Sequence, residues 1–255
     1  MSKLIEGAKK EIPSLDQILE EAWAEINPSG QIISKNFGEV LINLERKANQ
    51  IYLNYEKRAL QKLAESWLAR QRGRIRERLE RVLRERDWEE FIAKAKDWFV
   101  EFGVLVQALE KDLGNMRKAR GGGTFEKLVK KMLIAMGIPV ERPKGKSSRG
   151  LRRIDLVIPS VKVALDTPDR AIFLTLKRTL RERWKQEIPQ VGVNQRVYLL
   201  TIDEDLSESK AREIHEKGLI AFVRDEIKQR GELRGMSWIR SLSSLPEELR
   251  AYGAR

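Results

Sequence analysis

Short apolar segments alternate with helical segments between residues 154 and 223, and this alternation constrains the fold more than any other feature of the sequence. Four apolar runs predict strands, at 154–158, 171–176, 196–201 and 219–223. Helical patterns over 179–188 and 207–217 separate the later runs. Strands that are apolar on both sides require cover on both faces of a sheet. The sequence therefore predicts an α/β fold with a mixed β-sheet core flanked by helices.

The first part of the chain has a different periodicity, and we predict a helical N-terminal region. A helix is expected over 15–26, capped by Ser14. From about residue 37 to 112 the apolar positions are spaced by three and four, as in a helix with one buried face. The positions at which we expect this helical stretch to break are Gly73, Asp87 and Gly103.

Three consecutive glycines at 121–123 predict a flexible junction, because glycine weakens a helix interior. Thr124 is then expected to cap a new helix that ends at Gly137. We place the boundary here: 1–119 is a helical region for dimerisation or DNA clamping, and 120–255 is the catalytic core. Both parts are expected to form one compact domain.

The composition excludes several classes of chemistry. The chain has no cysteine and one histidine, His215, which excludes disulfides, thiolate sites and most zinc and Ser-His mechanisms. Its 50 basic and 38 acidic residues give a net charge of +12, which favours a nucleic-acid partner. No apolar run is long enough for a bilayer and no signal peptide is evident, so we expect a cytoplasmic protein. Abundant Lys, Arg and Glu without Cys fit a thermophilic source.

Three charged residues stand out as candidate catalytic groups. Asp155 lies within an apolar strand, where a carboxylate is costly unless it has a partner. Lys177 ends the next apolar strand, and Glu126 lies one turn into the helix expected to begin at Thr124. Carboxylates bind Mg²⁺ through oxygen, and a lysine beside them can orient or deprotonate an attacking water. A structural ion pair between Asp155 and Lys177 explains the same spacing.

Two sequence segments resemble a known nuclease family. The first is Arg-Ile-Asp-Leu-Val-Ile-Pro-Ser at 153–160, and the second is Lys-Arg-Thr-Leu-Arg-Glu-Arg-Trp-Lys-Gln at 177–186. They are similar to the type II restriction endonuclease branch that contains the EcoRII catalytic domain and PspGI, within the PD-(D/E)XK superfamily. The resemblance covers roughly residues 115 to 225.

The resemblance implies a Mg²⁺-dependent homodimer that cuts double-stranded DNA at a short CC…GG site such as CCWGG. A cognate DNA methyltransferase is expected in the same host. Asp155 would be the central metal ligand, Lys177 the catalytic lysine and Glu126 the acidic residue borne by a helix. Arg181, Glu182 and Arg183 would read G·C pairs, since arginine pairs with guanine and a carboxylate accepts from cytosine.

The sequence departs from the superfamily pattern at two positions. Thr175 replaces the usual acidic residue two positions before the lysine. In this branch the carboxylate is expected instead thirteen residues after the lysine, and that position is Gln190. Gln190 would ligate the metal through its amide oxygen, or Glu187 would complete the site.

Three other functions fit part of the pattern, and the weakest of them is an RNA-binding helical protein whose α/β half is structural. A structure-directed nuclease of the same fold would need Asp155 and Lys177 but not the segment at 181–183. A basic DNA-binding protein with a degenerate site would account for Thr175 and Gln190, and it would bind DNA without cleaving it.

Overall fold

A computed structural model describes residues 2–144, 151–180 and 195–253 of the 255-residue chain. Contacts between residues divide the chain into two compact units. The first unit runs to Ala22 and again from Ala48 to Arg120. The second comprises Trp23–Lys47 and Gly121–Arg255.

Nine α-helices lie in the described residues. They are α1 Ser2–Lys9, α2 Leu15–Ile26, α3 Gly30–Lys35, α4 Phe37–Glu85, α5 Trp88–Ala135, α6 Val161–Asp166, α7 Glu208–Glu216, α8 Asp225–Lys228 and α9 Leu245–Gly253. Short 3₁₀ turns occur at Pro168–Arg170, Gly231–Gly235 and Leu242–Ser244. None of the helices in the described part of the chain combines the length and apolar character that a bilayer span requires.

The first unit is entirely helical, and apolar side chains spaced by four form its core. Leu105, Leu109 and Leu113 of α5 are buried, as are Leu63 and Trp67 of α4. This spacing places each set on one helix face. Ion pairs surround this core, such as Lys9 Nζ to Asp112 Oδ2 at 3.0 Å and Arg117 Nε to Glu56 Oε1 at 2.7 Å.

The second unit contains a five-stranded sheet with the strands in sequence order. The strands are β1 Leu156–Ile158, β2 Ile172–Leu176, β3 Arg196–Leu200, β4 Ile220–Val223 and β5 Ile239–Ser241. β1 is antiparallel to β2, and the remaining pairs are parallel. Every residue of β1 and β2 is buried, so both faces of the sheet are covered there. The mixed sheet flanked by helices confirms the predicted fold class.

The C-terminal end of α5 is fixed by two features. Gly137 has φ +76°, and the amides of Gly137 and Ile138 donate to the carbonyls of Ile134 and Leu133, as in a Schellman motif. Gly30, the first residue of α3, approaches so closely that a Cβ there would lie 2.3 Å from the carbonyl oxygen of Ala135. Only glycine fits this contact.

Several predicted boundaries are confirmed, and others are wrong. Ser14 caps α2, since its hydroxyl accepts from the Gln17 amide at 3.3 Å. A break occurs beside Asp87, but Gly73 and Gly103 lie inside α4 and α5. The predicted junction at 121–123 is also wrong, because α5 continues through it and Thr124 begins no new helix. The domain boundary at 119/120 stays a prediction.

We expect Gly30→Ala to destabilise the protein by about 1–3 kcal/mol, because backbone atoms must move to admit the methyl group. Thermal unfolding measures this as a lower Tm. A Gly30→Ala variant with wild-type Tm would contradict the close approach of α3 to α5.

The matched control is Gly121→Ala, in the interior of α5. A Cβ at Gly121 meets nothing within 4 Å. Since alanine favours a helix over glycine, this variant should be more stable by roughly 0.5–1 kcal/mol.

Candidate active site

Asp155 is held where β1 begins and β2 ends. Its amide donates to the carbonyl of Leu174 at 2.9 Å, the residue that is paired with Leu156 in the antiparallel register of β1 and β2. Its carboxylate Oδ2 accepts from the Leu176 amide at 2.6 Å. Backbone and side chain are therefore both bound to β2, and the carboxylate has little freedom to move.

Lys177 follows β2 directly and is partly exposed. Its amide donates to the Leu200 carbonyl at 3.0 Å, which extends the parallel pairing of β2 with β3. The charge of Lys177 lowers the pKa of Asp155, so the two side chains are electrostatic neighbours. The structure thus brings together the two residues that the strand pattern had suggested.

Glu126 reaches the same region from α5. Its side chain is only 14% exposed, and Oε1 lies 2.7 Å from Nε of Arg142. Burial raises the pKa of Glu126, the charge of Arg142 lowers it, and the negative charge of Asp155 raises it further. The two carboxyl groups are therefore close enough to repel each other when both are ionised.

The pKa of Asp155 is also raised, mainly because burial disfavours the charged carboxylate. The hydrogen bond from Leu176 and the charges of Lys177 and Arg142 oppose this increase but do not cancel it. Arg142 therefore acts on both carboxyl groups. Nothing in the local sequence distinguishes Arg142 from other surface arginines, so sequence reasoning missed it.

Thr175 occupies the position where the resemblance described above implies an acidic residue. Its side chain is fully buried in β2. The hydroxyl helps to lower the pKa of Asp155, yet it makes no hydrogen bond of good geometry among the described residues. A buried hydroxyl without such a bond is an uncommon arrangement in a purely structural site.

The side chains of Glu126 and Asp155 fit a hard divalent cation. Burial leaves the negative charge of each carboxylate incompletely compensated, and a cation between them would supply the missing charge. A small hard cation needs only one or two protein carboxylates, with water and phosphate as its other ligands. No cluster of three or more His, Cys, Asp or Glu residues suited to a metal occurs in the described ranges.

The predicted recognition residues Arg181, Glu182 and Arg183 lie outside the described residues, as do Glu187 and Gln190. Just before them, the chain is fixed at Leu180, whose amide donates to Asp203 Oδ2 at 2.5 Å. The predicted helix over 179–188 also falls largely outside the described part.

A sequence model of the family described as EcoRII C terminal matches residues 72–244, which is more than half of the chain. The chain belongs to this family. The match confirms the resemblance to type II restriction endonucleases of the EcoRII branch that the segments at 153–160 and 177–186 had suggested.

Two curated relatives are themselves type II restriction enzymes. SsoII of Shigella sonnei is 27% identical over 142 residues, which cover 52% of this chain and 46% of SsoII. EcoRII of Escherichia coli is 27% identical over 119 residues, covering 46% of this chain and 29% of EcoRII. The aligned part of the chain thus spans less than half of either relative.

Solved structures of DNA complexes share the fold. Metal-depleted Ecl18kI in complex with uncleaved DNA matches with a TM-score of 0.76 and 18% identity, covering 99% of this chain and 84% of that one. The PspGI–substrate DNA complex matches with a TM-score of 0.67 and 22% identity, covering 96% and 95%. At these identities the likeness establishes the fold.

The raised pKa of Asp155 has a consequence for stability. Between the ordinary pKa of this carboxyl group and its raised value, the folded chain binds more protons than the unfolded chain. Stability therefore falls as pH rises through that interval and stays lower at neutral pH.

Without divalent metal, we expect Asp155→Asn to raise the free energy of unfolding at pH 7.5 by roughly 1 kcal/mol, the usual scale for relieving such a conflict. The gain should be smaller at pH 4 than at pH 7.5, because the raised pKa favours protonation of the wild-type carboxyl group as the pH falls. Urea unfolding at the two pH values measures it. Exposed Asp169→Asn is the control, and a destabilised Asp155→Asn at pH 7.5 would contradict a raised pKa at this carboxyl group.

Proposed function

We propose that the chain is a Mg²⁺-dependent type II restriction endonuclease that cleaves double-stranded DNA as a homodimer. The observation that carries the proposal is the convergence of Glu126, Asp155 and Lys177 at one end of the sheet, in a chain of the EcoRII C-terminal family. The net charge of +12 suits a polyanionic substrate.

Each residue has a proposed part in hydrolysis of the phosphodiester. Asp155 and Glu126 would hold the metal ion, with Gln190 as a further oxygen ligand. Mg²⁺ would neutralise charge at the phosphate and favour ionisation of the attacking water. Lys177 orients this water and stabilises the negative charge that develops as the P–O bond breaks.

Recognition is assigned to the segment that follows the catalytic lysine. Arg181 and Arg183 would donate to guanine O6 and N7, and Glu182 would accept from cytosine N4. A CC…GG site such as CCWGG provides these base edges in both half-sites. A twofold dimer matches the symmetry of such a site, and a methyltransferase of the same specificity would protect the DNA of the host, in whose cytoplasm the enzyme acts.

The test is digestion of mixed-sequence plasmid DNA with Mg²⁺, by the wild type and by Lys177→Ala and Asp155→Asn. We expect discrete fragments from the wild type, with ends that share one sequence. Each variant should lose roughly 10²- to 10⁴-fold in rate, the usual contribution of a positioned catalytic group. Removal of divalent ions with a chelator should abolish cleavage.

Lys162→Ala and Asp169→Asn are matched controls, because both residues are exposed on the surface of the second unit. Both should cleave at the wild-type rate. Cleavage of branched DNA without sequence preference would favour the structure-directed nuclease. Intact plasmid with Mg²⁺ and Mn²⁺, together with tight DNA binding, would favour the non-cleaving protein that Thr175 and Gln190 suggest.

A further inference from the structure

Arg178, the residue after the proposed catalytic lysine, is held by contacts at both its backbone and its side chain. Its carbonyl oxygen accepts from the Thr201 hydroxyl at 3.3 Å. Its guanidinium Nε donates to Oε1 of Glu45 at 2.6 Å. The guanidinium is therefore fixed relative to the end of β2, although 50% of the side chain is exposed.

Glu45 is an unusual residue for its place in α4. It is 9% exposed, and its neighbours Leu41 and Leu44 on the same helix are core residues. A buried carboxylate is costly unless a cation pairs with it, so the contact with Arg178 strongly restrains both side chains. Since the two residues are 133 positions apart, the pair joins α4 to the segment that carries Lys177.

The contact with Glu45 is made through Nε of the guanidinium. No second ion pair of Arg178 occurs among the described residues. The two terminal nitrogens form a planar fork suited to an oxyanion such as phosphate. The Arg178 side chain is half exposed, and it lies one residue from Lys177 along the chain.

We propose that Arg178 binds a phosphate of the DNA backbone next to the cleaved bond, and that Glu45 is its positioning residue. The inference rests on the proposed function and adds to it a residue outside the segment at 181–183. Because phosphate contacts orient a protein on DNA without reading sequence, Arg178 sets the placement of the scissile phosphate against Lys177 rather than the choice of site.

The test measures DNA affinity without divalent metal between 50 and 200 mM salt, for the wild type and for Arg178→Met. If the variant no longer binds one phosphate, the slope of log K against log salt falls in magnitude by about 0.9 per subunit. From 50 to 200 mM salt, the wild type should therefore lose affinity by a factor about 3.5 times larger than the variant does, for each phosphate that the variant leaves unbound. The affinity of the variant for specific and for non-specific duplexes should be reduced by the same factor.

Arg212→Met is the matched control, because Arg212 also pairs with a glutamate, Glu232, at 2.6 Å, but both side chains are about 60% exposed. We expect a smaller change of slope in this variant. Arg178→Lys keeps the positive charge, so its slope of log K against log salt should equal that of the wild type, although it lacks the planar guanidinium. Glu45→Gln should bind DNA with the wild-type slope but cleave several-fold more slowly at saturating DNA.

The outcomes separate this inference from the proposed function. Wild-type protein that binds and cleaves DNA, with an unchanged slope in folded Arg178→Met, overturns the phosphate contact alone. If Arg178→Met does not fold, Arg178→Lys and Glu45→Gln provide the test instead. Wild-type cleavage rates in both of these variants would overturn the positioning role. Wild-type protein that binds no DNA overturns both proposals.

Discussion

The antiparallel pairing of β1 with β2 is the interaction on which the site depends. It places the Asp155 carboxylate 2.6 Å from the Leu176 amide, at the point where β2 gives way to Lys177. A shift of the register by one residue would move Asp155 to the other face of the sheet and separate it from Lys177. The parallel pairing of β2 with β3 then fixes the Lys177 backbone through the Leu200 carbonyl. The antiparallel pairing of β1 with β2 and the parallel pairing of β2 with β3 thus fix the Asp155 carboxylate and the Lys177 backbone beside each other.

Near the ends of β1 and β2, the fold buries carboxylate groups whose negative charge is only partly compensated by neighbouring cations. Asp155 and Glu126 both keep a raised pKa despite the nearby Arg142, and the Thr175 hydroxyl lies buried in the adjacent strand. Glu45 is a third buried carboxylate, and it is paired with Arg178. Incomplete compensation costs stability in the metal-free chain, and it is the electrostatic condition under which a divalent cation binds well.

The sequence was sufficient to predict four of the five strands from their apolar patterns. It also singled out Asp155 and Lys177, because each is a local conflict between residue type and environment. An aspartate within an apolar strand is such a conflict, and so is a lysine at the end of one. Glu45 and Arg142 could not be found in this way, since their partners are set by tertiary packing. β5 was missed because its three residues, Ile239–Ser241, carry too short an apolar pattern. The glycines at 121–123 predicted a junction that does not exist, because α5 continues through them despite their low helix propensity.

The central claim is that Asp155 and Glu126 together hold the divalent ion of a nuclease. The most direct measurement is the anomalous scattering of Mn²⁺ in crystals of the Lys177→Ala protein bound to a duplex with the cognate site. We expect a peak with the carboxylates of Asp155 and Glu126 and a DNA phosphate oxygen among its ligands. A Mn²⁺ ion bound at that phosphate by other residues, with the carboxylates of Asp155 and Glu126 outside its ligand shell, would contradict this assignment.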